Sequence, residues 1–474
     1  MTARPTPPTP IVDRTASIVP VPVPDLGNTS YVVVRGDEAL VIDPPRDVRE
    51  ILAVVERRHA TVSTVLETHV HNDYLSGAHE VRAATGASIA APAKGRYRFD
   101  HRALDEGDEI VVGDLILRAL HTPGHTPEHM SYLVLREGSD RPEAVLTGGS
   151  LLVGSAGRSD LLGLVRADEL NRAQFRSLTR LRDLPPDTSV LPTHGAGSFC
   201  SADDASALVR ISTIGEELAW NAVFRADDED EFLALRTGRL AAPPSYFRFM
   251  AEANRSGVPL LTDGDPPLDL SPAESSALVS AGAWIVDARD RRAFAAGHIP
   301  GSVWVPLDGS FATNVGSVVP FGESMVLVLP WPERDLAHEA VPQLQMIGYG
   351  PVLGFVSGGV DAWRAAGRPL TPLTTLDPGR ITVDDDPATP LVLDVRSPAE
   401  WEAEPLPNGV RIPLSELTER IHDVPRDRPV VAACAFGRRA VIAASVLQRL
   451  GVDVAAVTDG GVQDLVRSDA LEGA

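Results

Sequence analysis

Cysteine is nearly absent from this chain: among 474 residues only Cys200 and Cys434 occur. Two thiols cannot staple a small secreted fold, so a disulfide framework is excluded and a reducing compartment is expected. Lysine is scarcer still, Lys94 standing alone among arginines. Positive charge as a whole is short, with 43 Lys+Arg against 65 Asp+Glu and a formal net charge of −22. Such a chain repels phosphate backbones and anionic lipid, which argues against nucleic-acid and membrane-surface partners. No apolar run reaches the length of about 18 residues that a membrane span needs. The opening MTARPTPPTP lacks the basic start and apolar core of a secretory signal. A cytoplasmic location is the expectation. Apolar residues make up 43% and charged residues 23%, enough to bury globular cores, and the length suggests about three domains at ~100–200 residues each.

Residues 1–14 are Pro- and Thr-rich and read as a disordered tail. A hairpin follows, SYVVV (30–34) and ALVID (39–43) around Arg35–Glu38, then an amphipathic helix from Asp47 to His59 with Asp47 as its N-cap. The run 62–69 reads as a buried strand ending at a histidine, 76–84 as a helix, and 88–92, 109–120, 130–135 and 144–148 as strands. Strands, a helix and strands again predict a layered α/β domain over 15–225, with a helical connector at 226–262. Beyond it the chain repeats itself. AWIVDARDRRAFAAGHIPGSVWVPL (283–307) aligns with PLVLDVRSPAEWEAEPLPNGVRIPL (390–414), pairing Asp287 with Asp394 and Arg289 with Arg396, and GGVDAW (358–363) aligns with GGVQDL (460–465). Each copy, 263–370 and 371–474, predicts one small parallel α/β domain.

In the second copy the apolar strand VVAA (430–433) runs into Cys434-Ala435-Phe436-Gly437-Arg438-Arg439 and then a helix. A thiol at a strand-to-helix turn is favoured as thiolate by the unpaired N–H groups and the dipole of the helix start. Gly437 permits a tight curl of backbone N–H groups, and Arg438 or Arg439 can grip an anionic sulfur substrate. The first copy has no such thiol: aligning VLVL (326–329) with VVAA puts Pro330 in the place of Cys434.

The first domain carries His69-Val70-His71-Asn72-Asp73-Tyr74 after one strand, His125 in LHTPGHTPEHM (120–130) after another, and His194 in LPTHGAGS (191–198) after a third. Imidazoles at successive strand ends converge on one sheet edge, where zinc or iron suits them. His69, His71 and His125 are the metal candidates on spacing, with Asp73 and His194 as weaker ones. Cys200 is a further thiol near the same region, and a buried packing role is its simpler reading.

These motifs resemble two families. The Cys434 loop with the Asp394-Val395-Arg396 strand end resembles the rhodanese sulfurtransferases, over 263–474 as two copies. The resemblance implies that Cys434 carries a persulfide, that Arg439 closes the loop, that Gly437 and Arg438 bind substrate, and that the first copy is structural. The histidine motifs resemble the metallo-β-lactamase superfamily, in its persulfide dioxygenase and glyoxalase II branch. That implies an αββα sandwich followed by two rhodanese-like parallel α/β domains, with one Fe(II) held by two His and one Asp. His69 and His125 match the imidazoles, but Gly149 stands where the family's T-G-D motif has its Asp, and Tyr74 where dinuclear relatives have a further His. Three outcomes are open at this stage: His71 completes a three-His site that zinc would tolerate, Asp73 supplies the carboxylate, or the site is empty. One Fe(II) or Zn(II) per chain, or none, is the cofactor expectation. The partners expected are a small-molecule thiol persulfide and a sulfur acceptor; self-association is compatible with the sequence, which specifies no interface. Three functions follow in order: persulfide dioxygenase with sulfurtransferase activity, a sulfurtransferase on an inert lactamase-like domain, and a metal-dependent thioester hydrolase.

Overall fold

A computed structural model describes residues 18–195, 211–236, 242–261, 267–381, 389–406 and 408–465. The tail 1–14 and Cys200 lie outside these. The chain forms two compact units, residues 1–237 with 247–262, and 238–246 with 263–474. The expected connector is thus divided: 226–237 and 247–262 belong to the first unit and 238–246 to the second.

In the first unit, β1 (Ile18–Val23), β2 (Asn28–Arg35), β3 (Glu38–Ile42), β4 (Thr61–Leu66), β5 (Ser88–Pro92) and β6 (Arg102–Leu104) form one sheet in that order. The β2–β3 hairpin pairs Tyr31 with Ile42 through to Arg35 with Glu38, and Gly36 takes the left-handed conformation (φ +63°) that its two-residue turn requires. The second sheet runs β14–β13–β10–β9–β8–β7. Its strands are β7 (Glu109–Val112), β8 (Leu115–His121), β9 (Met130–Arg136), β10 (Ala144–Gly148), β13 (Ser189–Pro192) and β14 (Ser212–Thr213), and a small pair, β11 (Leu151–Leu152) and β12 (Ser155–Ala156), stands apart. The stretch 109–120 is thus two strands of a hairpin, turning at Gly113 (φ +56°).

Period-2 patterning sorts the side chains. Tyr31, Val33, Leu40 and Ile42 meet Leu117, Tyr132 and Leu146 between the sheets, while Val32, Val41 and Val65 face outward onto α1 (Arg49–Arg57) and α2 (Ala78–Thr85). Val145 and Val190 face the other way, onto α3 (Leu164–Arg182), α4 (Ile214–Trp220), α5 (Ala222–Arg225) and α6 (Glu229–Arg236). The result is four layers, helices on both outer faces of a sheet sandwich, with each fully buried Val or Leu stabilising by roughly 1.5–3 kcal/mol. Helix α1 starts one residue later than the expected N-cap, Asp47, implies. Val48 is its N-cap, and Asp47 contributes a carboxylate that accepts the Arg49 N–H at 3.2 Å. Helix α7 (Phe247–Ser256) also belongs to this unit.

The second unit holds two five-stranded sheets of the same topology. One is β15 (Asp269–Leu270), β19 (Val352–Val356), β18 (Met325–Val328), β16 (Trp284–Asp287), β17 (Ser302–Trp304); the other is β20 (Thr374–Leu376), β24 (Val454–Val457), β23 (Val430–Ala433), β21 (Leu391–Asp394), β22 (Val410–Arg411). Every pairing is parallel. Sequence similarity between the copies therefore reflects two domains of one design. At the end of β16, Arg289 grips Asp287 with contacts of 2.7–3.1 Å and reaches the Gly297 carbonyl; at the end of β21, Arg396 grips Asp394 over the same distances and reaches the Glu404 carbonyl.

Register corrects one residue. Asp287 pairs with Val328 and Asp394 with Ala433. Leu329, not Pro330, therefore occupies the place of Cys434, and Pro330 the place of Ala435. The loops are equally long: α11 (Glu333–Met346) and α14 (Arg438–Arg449) both begin five residues past their strands. Between α7 and α11 lie α8 (Pro272–Ser280), α9 (Arg291–Ala296) and α10 (Phe311–Val318); between α11 and α14 lie α12 (Gly359–Ala365) and α13 (Pro398–Ala403). Among the described residues no helix is long and apolar enough to cross a membrane.

Candidate metal and thiol sites

The loops after β4, β8, β10 and β13 share one edge of the sandwich. They are tied there by the Met130 N–H on the Thr68 carbonyl (2.8 Å), the Thr193 N–H on the Gly148 carbonyl (3.0 Å) and the Thr29 N–H on the Thr193 carbonyl (2.8 Å). Helix α7 clamps the first loop, because the Asn254 amide donates to the carbonyls of His71 and Tyr74, both at 2.8 Å.

The hydrogen-bond network assigns the imidazole tautomers. Thr68 Oγ1 donates to the Asp43 carboxylate, so its 2.8 Å contact with His69 Nδ1 has the ring as donor. His125 Nδ1 lies 2.7 Å from the Arg158 carbonyl and must donate. The Asn28 amide nitrogen donates to Asp73, so its oxygen accepts from His194 Nδ1 at 3.0 Å. In all three rings Nε2 is left to bind. These rings can bring their ligand atoms within 4.8 Å of one another, all fully buried. His69 Nε2 and His194 Nε2 stand 3.2 Å apart, and His125 Nε2 is buried with no hydrogen-bond partner. Bare lone pairs at that separation repel and call for a cation or a proton between them. Burial, then the neighbouring imidazoles, pushes His69 well below its ordinary pKa, and burial with His194 takes His125 down to about 3. Neutral rings, each oriented by an oxygen on Nδ1, are the ligand form. The donor set fits a metal ion.

Two further groups of buried ligand atoms adjoin this set, Asp43 with His69 and His71, and His71 with Asp73 and His194, so the expected candidates His71 and Asp73 stand at the same place as His69, His125 and His194. His71 Nε2 contacts Glu67 (3.0 Å) and the Tyr74 hydroxyl (3.0 Å) and lies 3.4 Å from Asp43. Burial would lower its pKa, but Asp43 and Glu67 outweigh that and raise it to about 10. Its Nδ1 is buried without a hydrogen-bond partner beside the three-imidazole cluster. Asp73 is held ionised against burial by His194, His71 and Asn28. His129 is structural: its Nε2 accepts from the Gly149 N–H at 2.9 Å, and its Nδ1 faces Thr122. Spacing alone missed Thr68, Asn28 and Asn254, which orient the loop and its rings. Asn28 and Asn254 come from distant segments with no local signal; Thr68 adjoins His69 and is marked only by that.

A side chain at Gly149 would have its Cβ 2.3 Å from His125 Cδ2 and 2.8 Å from His125 Nε2. The imidazole fills the space that a carboxylate would use. Gly149→Asp is therefore expected to destabilise the first unit by about 1–3 kcal/mol through overpacking, seen as a lowered Tm with reduced metal occupancy. Increased occupancy would instead show that the ring turns aside and the acid takes a ligand's place.

The second site lies in the other unit. Cys434 is buried at the end of β23, before Gly437 (φ +77°), the N-cap of α14. A Cβ at Gly437 would lie 2.6 Å from the Thr458 carbonyl, so the turn requires glycine twice over, by conformation and by space. Arg439 pairs bidentately with Glu400 at 2.6 and 2.7 Å. Its pKa rises against burial through Glu400 first and then the charges of Cys434 and Asp394, and Glu400 is drawn down to about 2. Arg438 donates to Asp308 and Ser310, both at 2.7 Å. Both arginines of the loop are thus committed to protein acceptors. In the first copy Leu329 fills the thiol's place, 1% exposed, and Trp331 stands where Phe436 stands, exposed like it.

The metallo-β-lactamase superfamily model matches residues 23–194, and a Burkholderia pseudomallei protein described as "Probable metallo-hydrolase" is 33% identical over 216 residues, 40% of this chain and 70% of that one. The chain belongs to the metallo-β-lactamase superfamily. The rhodanese-like domain model matches 271–366 and 382–468, so this member carries two rhodanese-like domains behind its metallo-β-lactamase domain. The hydroxyacylglutathione hydrolase of Cereibacter sphaeroides is 34% identical over 161 residues, 33% of this chain, and the chain spans only 57% of its length. A solved metallo-β-lactamase from Staphylococcus aureus subsp. aureus COL superposes with a TM-score of 0.64 at 28% identity, over 71% of this chain and 98% of that one. The fold class and both family resemblances hold, and the families are those of enzymes.

Proposed function

We propose that the chain is a persulfide-processing enzyme, in which a mononuclear centre oxidises the outer sulfur of a small-molecule thiol persulfide and Cys434 moves sulfane sulfur between thiols and acceptors. The observation that carries the reading is the set of three buried imidazoles with converging Nε2 atoms, in a chain that also holds a buried thiol at a rhodanese-type loop. The overall oxidation is RSSH + O2 + H2O → RSH + SO3²⁻ + 2H⁺, with O2 as oxidant. His69, His125 and His194 would hold the ion, iron on this reading; when bound it supplies redox contact with O2 and positions for substrate. The protein's own work is to fix the three rings through Thr68, Arg158 and Asn28 and to exclude water around them. In the second unit the Cys434 thiolate attacks the outer sulfur of RSSH. The S–S bond breaks, RS⁻ leaves and Cys434–SSH forms, with no net redox change.

Two-ion hydrolysis is disfavoured because Gly149 offers no bridging carboxylate and Tyr74 donates to the Asp43 carbonyl in the place of a further imidazole. Gly149 also favours a second reading, sulfur transfer with an inert first domain. Elemental analysis together with oxygen uptake on glutathione persulfide separates them. The expected result is one ion per chain and uptake that a chelator abolishes. No ion even after iron or zinc loading, and background uptake, would overturn the oxidation; two ions per chain would favour the hydrolase.

A further inference from the structure

The cysteine-less copy reaches into the loop of the other. Arg291, the first residue of α9, places Nη1 3.4 Å from the Phe436 carbonyl, and an ideal Cβ on Gly437 would lie 2.9 Å from that same nitrogen. The copies are also joined along α14: the Trp304 N–H donates to the buried Ser445 hydroxyl (2.9 Å), Arg449 donates to the Gly301 carbonyl (2.8 Å), and Arg438 is held by Asp308 and Ser310. The loop's geometry is therefore set partly by residues that its own repeat does not contain.

Among the described residues Arg291, Arg438 and Arg439 border this loop, and they differ in what they have left to give. Arg439 is closed by a bidentate carboxylate, and Arg438 donates at 2.7 Å to a carboxylate and a hydroxyl. Arg291 has one long carbonyl contact, and its nearest carboxylate oxygen, Asp459 Oδ1, is 3.8 Å away and equally close to Arg292. A guanidinium has five N–H donors in a planar fork, so several remain for an oxyanion. Arg292 is 85% exposed, whereas Arg291 is 27% exposed and less screened by water.

We infer that Arg291 is the anion-binding residue of the Cys434 site, supplied by the copy that has no thiol of its own, and that it receives sulfur oxyanions such as sulfite or thiosulfate. The inference rests on the reading of Cys434 as the sulfur carrier. The step served is Cys434–SS⁻ + SO3²⁻ → Cys434–S⁻ + S2O3²⁻: the persulfide S–S bond breaks, a new S–S bond to sulfite forms, and charge and electrons balance. Arg291 holds the dianion against the repulsion of the persulfide. The first copy, without a cysteine, is then still a working part of the site.

The test is alkylation of Cys434 in the full chain by two reagents of similar size and opposite character, iodoacetate and iodoacetamide, with sulfite-dependent turnover alongside. Electrostatic focusing predicts that Arg291→Gln slows iodoacetate by about 5–10-fold and leaves iodoacetamide within about twofold. The KM for sulfite rises by a similar factor with kcat little changed. Arg291→Lys, which keeps the charge, restores most of the ratio. Equal slowing of both reagents would make Arg291 a structural support for the loop and overturn the inference, as would an unchanged ratio. A parent chain whose Cys434 reacts with neither reagent would overturn the carrier reading itself.

Discussion

Alanine at position 194 is expected to strip the ion from the first domain. His194 Nε2 faces His69 Nε2 at 3.2 Å and belongs to the buried three-ring cluster with His125. Its Nδ1 is anchored on Asn28, which is itself anchored on Asp73, so the ring is oriented before any ion arrives. Loss of an outer partner of a metal ligand costs ~10–100-fold in affinity; loss of the ligand itself should cost at least about 100-fold. Chelator competition followed by elemental analysis reads this directly. His71→Ala should behave differently. It removes the cation between Asp43 and Glu67, whose buried carboxylates then lack their partner, a loss worth about 3–5 kcal/mol. The main effect there is a lowered Tm. If His71→Ala lost the ion while His194→Ala kept it, the three-Nε2 assignment would be wrong.

Serine at position 434 should abolish sulfur transfer, by at least ~1,000-fold, because a hydroxyl is a far weaker nucleophile than a thiolate and does not carry sulfane sulfur. The exchange changes one atom at a site that is 1% exposed. Its structural cost is therefore that of a newly buried hydroxyl, about 1–3 kcal/mol, and the chain should still fold. Transfer from glutathione persulfide to sulfite, measured as thiosulfate formed, gives the answer. Oxygen uptake at the first domain should persist in this variant and vanish in His194→Ala. Retained transfer in the serine variant would remove Cys434 from the reaction. Joint loss of both activities in either variant would mean that neither domain works without the other.

The strands and helices that bracket both sites were legible from local pattern. The 30–43 hairpin, the 88–92 strand and the 144–148 strand stand where alternation and turn residues put them, because those signals are short-range. The sequence also exposed the duplication through Asp287/Asp394 and Arg289/Arg396, and the structure gives both pairs one geometry. It could not fix the register of the degenerate loop. Aligning VLVL with VVAA sets Pro330 against Cys434, and only the pairing of Asp287 with Val328 beside that of Asp394 with Ala433 puts Leu329 there instead.

From the amino acids alone came the kind of chemistry: histidines at strand ends, one thiol before a helix, a glycine in place of an acid. Those are statements about residue type and local order, and a linear chain carries them in full. Which nitrogens meet was decided in three dimensions. His71 is two residues from His69, yet its Nε2 is taken by Glu67, while His194, 125 residues away, stands 3.2 Å from His69. Sheet pairing brings distant strand ends together, and burial then lets neighbouring carboxylates and carbonyls choose each ring's tautomer. The same holds for the loop arginines: type and spacing nominated Arg438 and Arg439, and folding gave both to carboxylates, leaving Arg291 from the other repeat beside the loop.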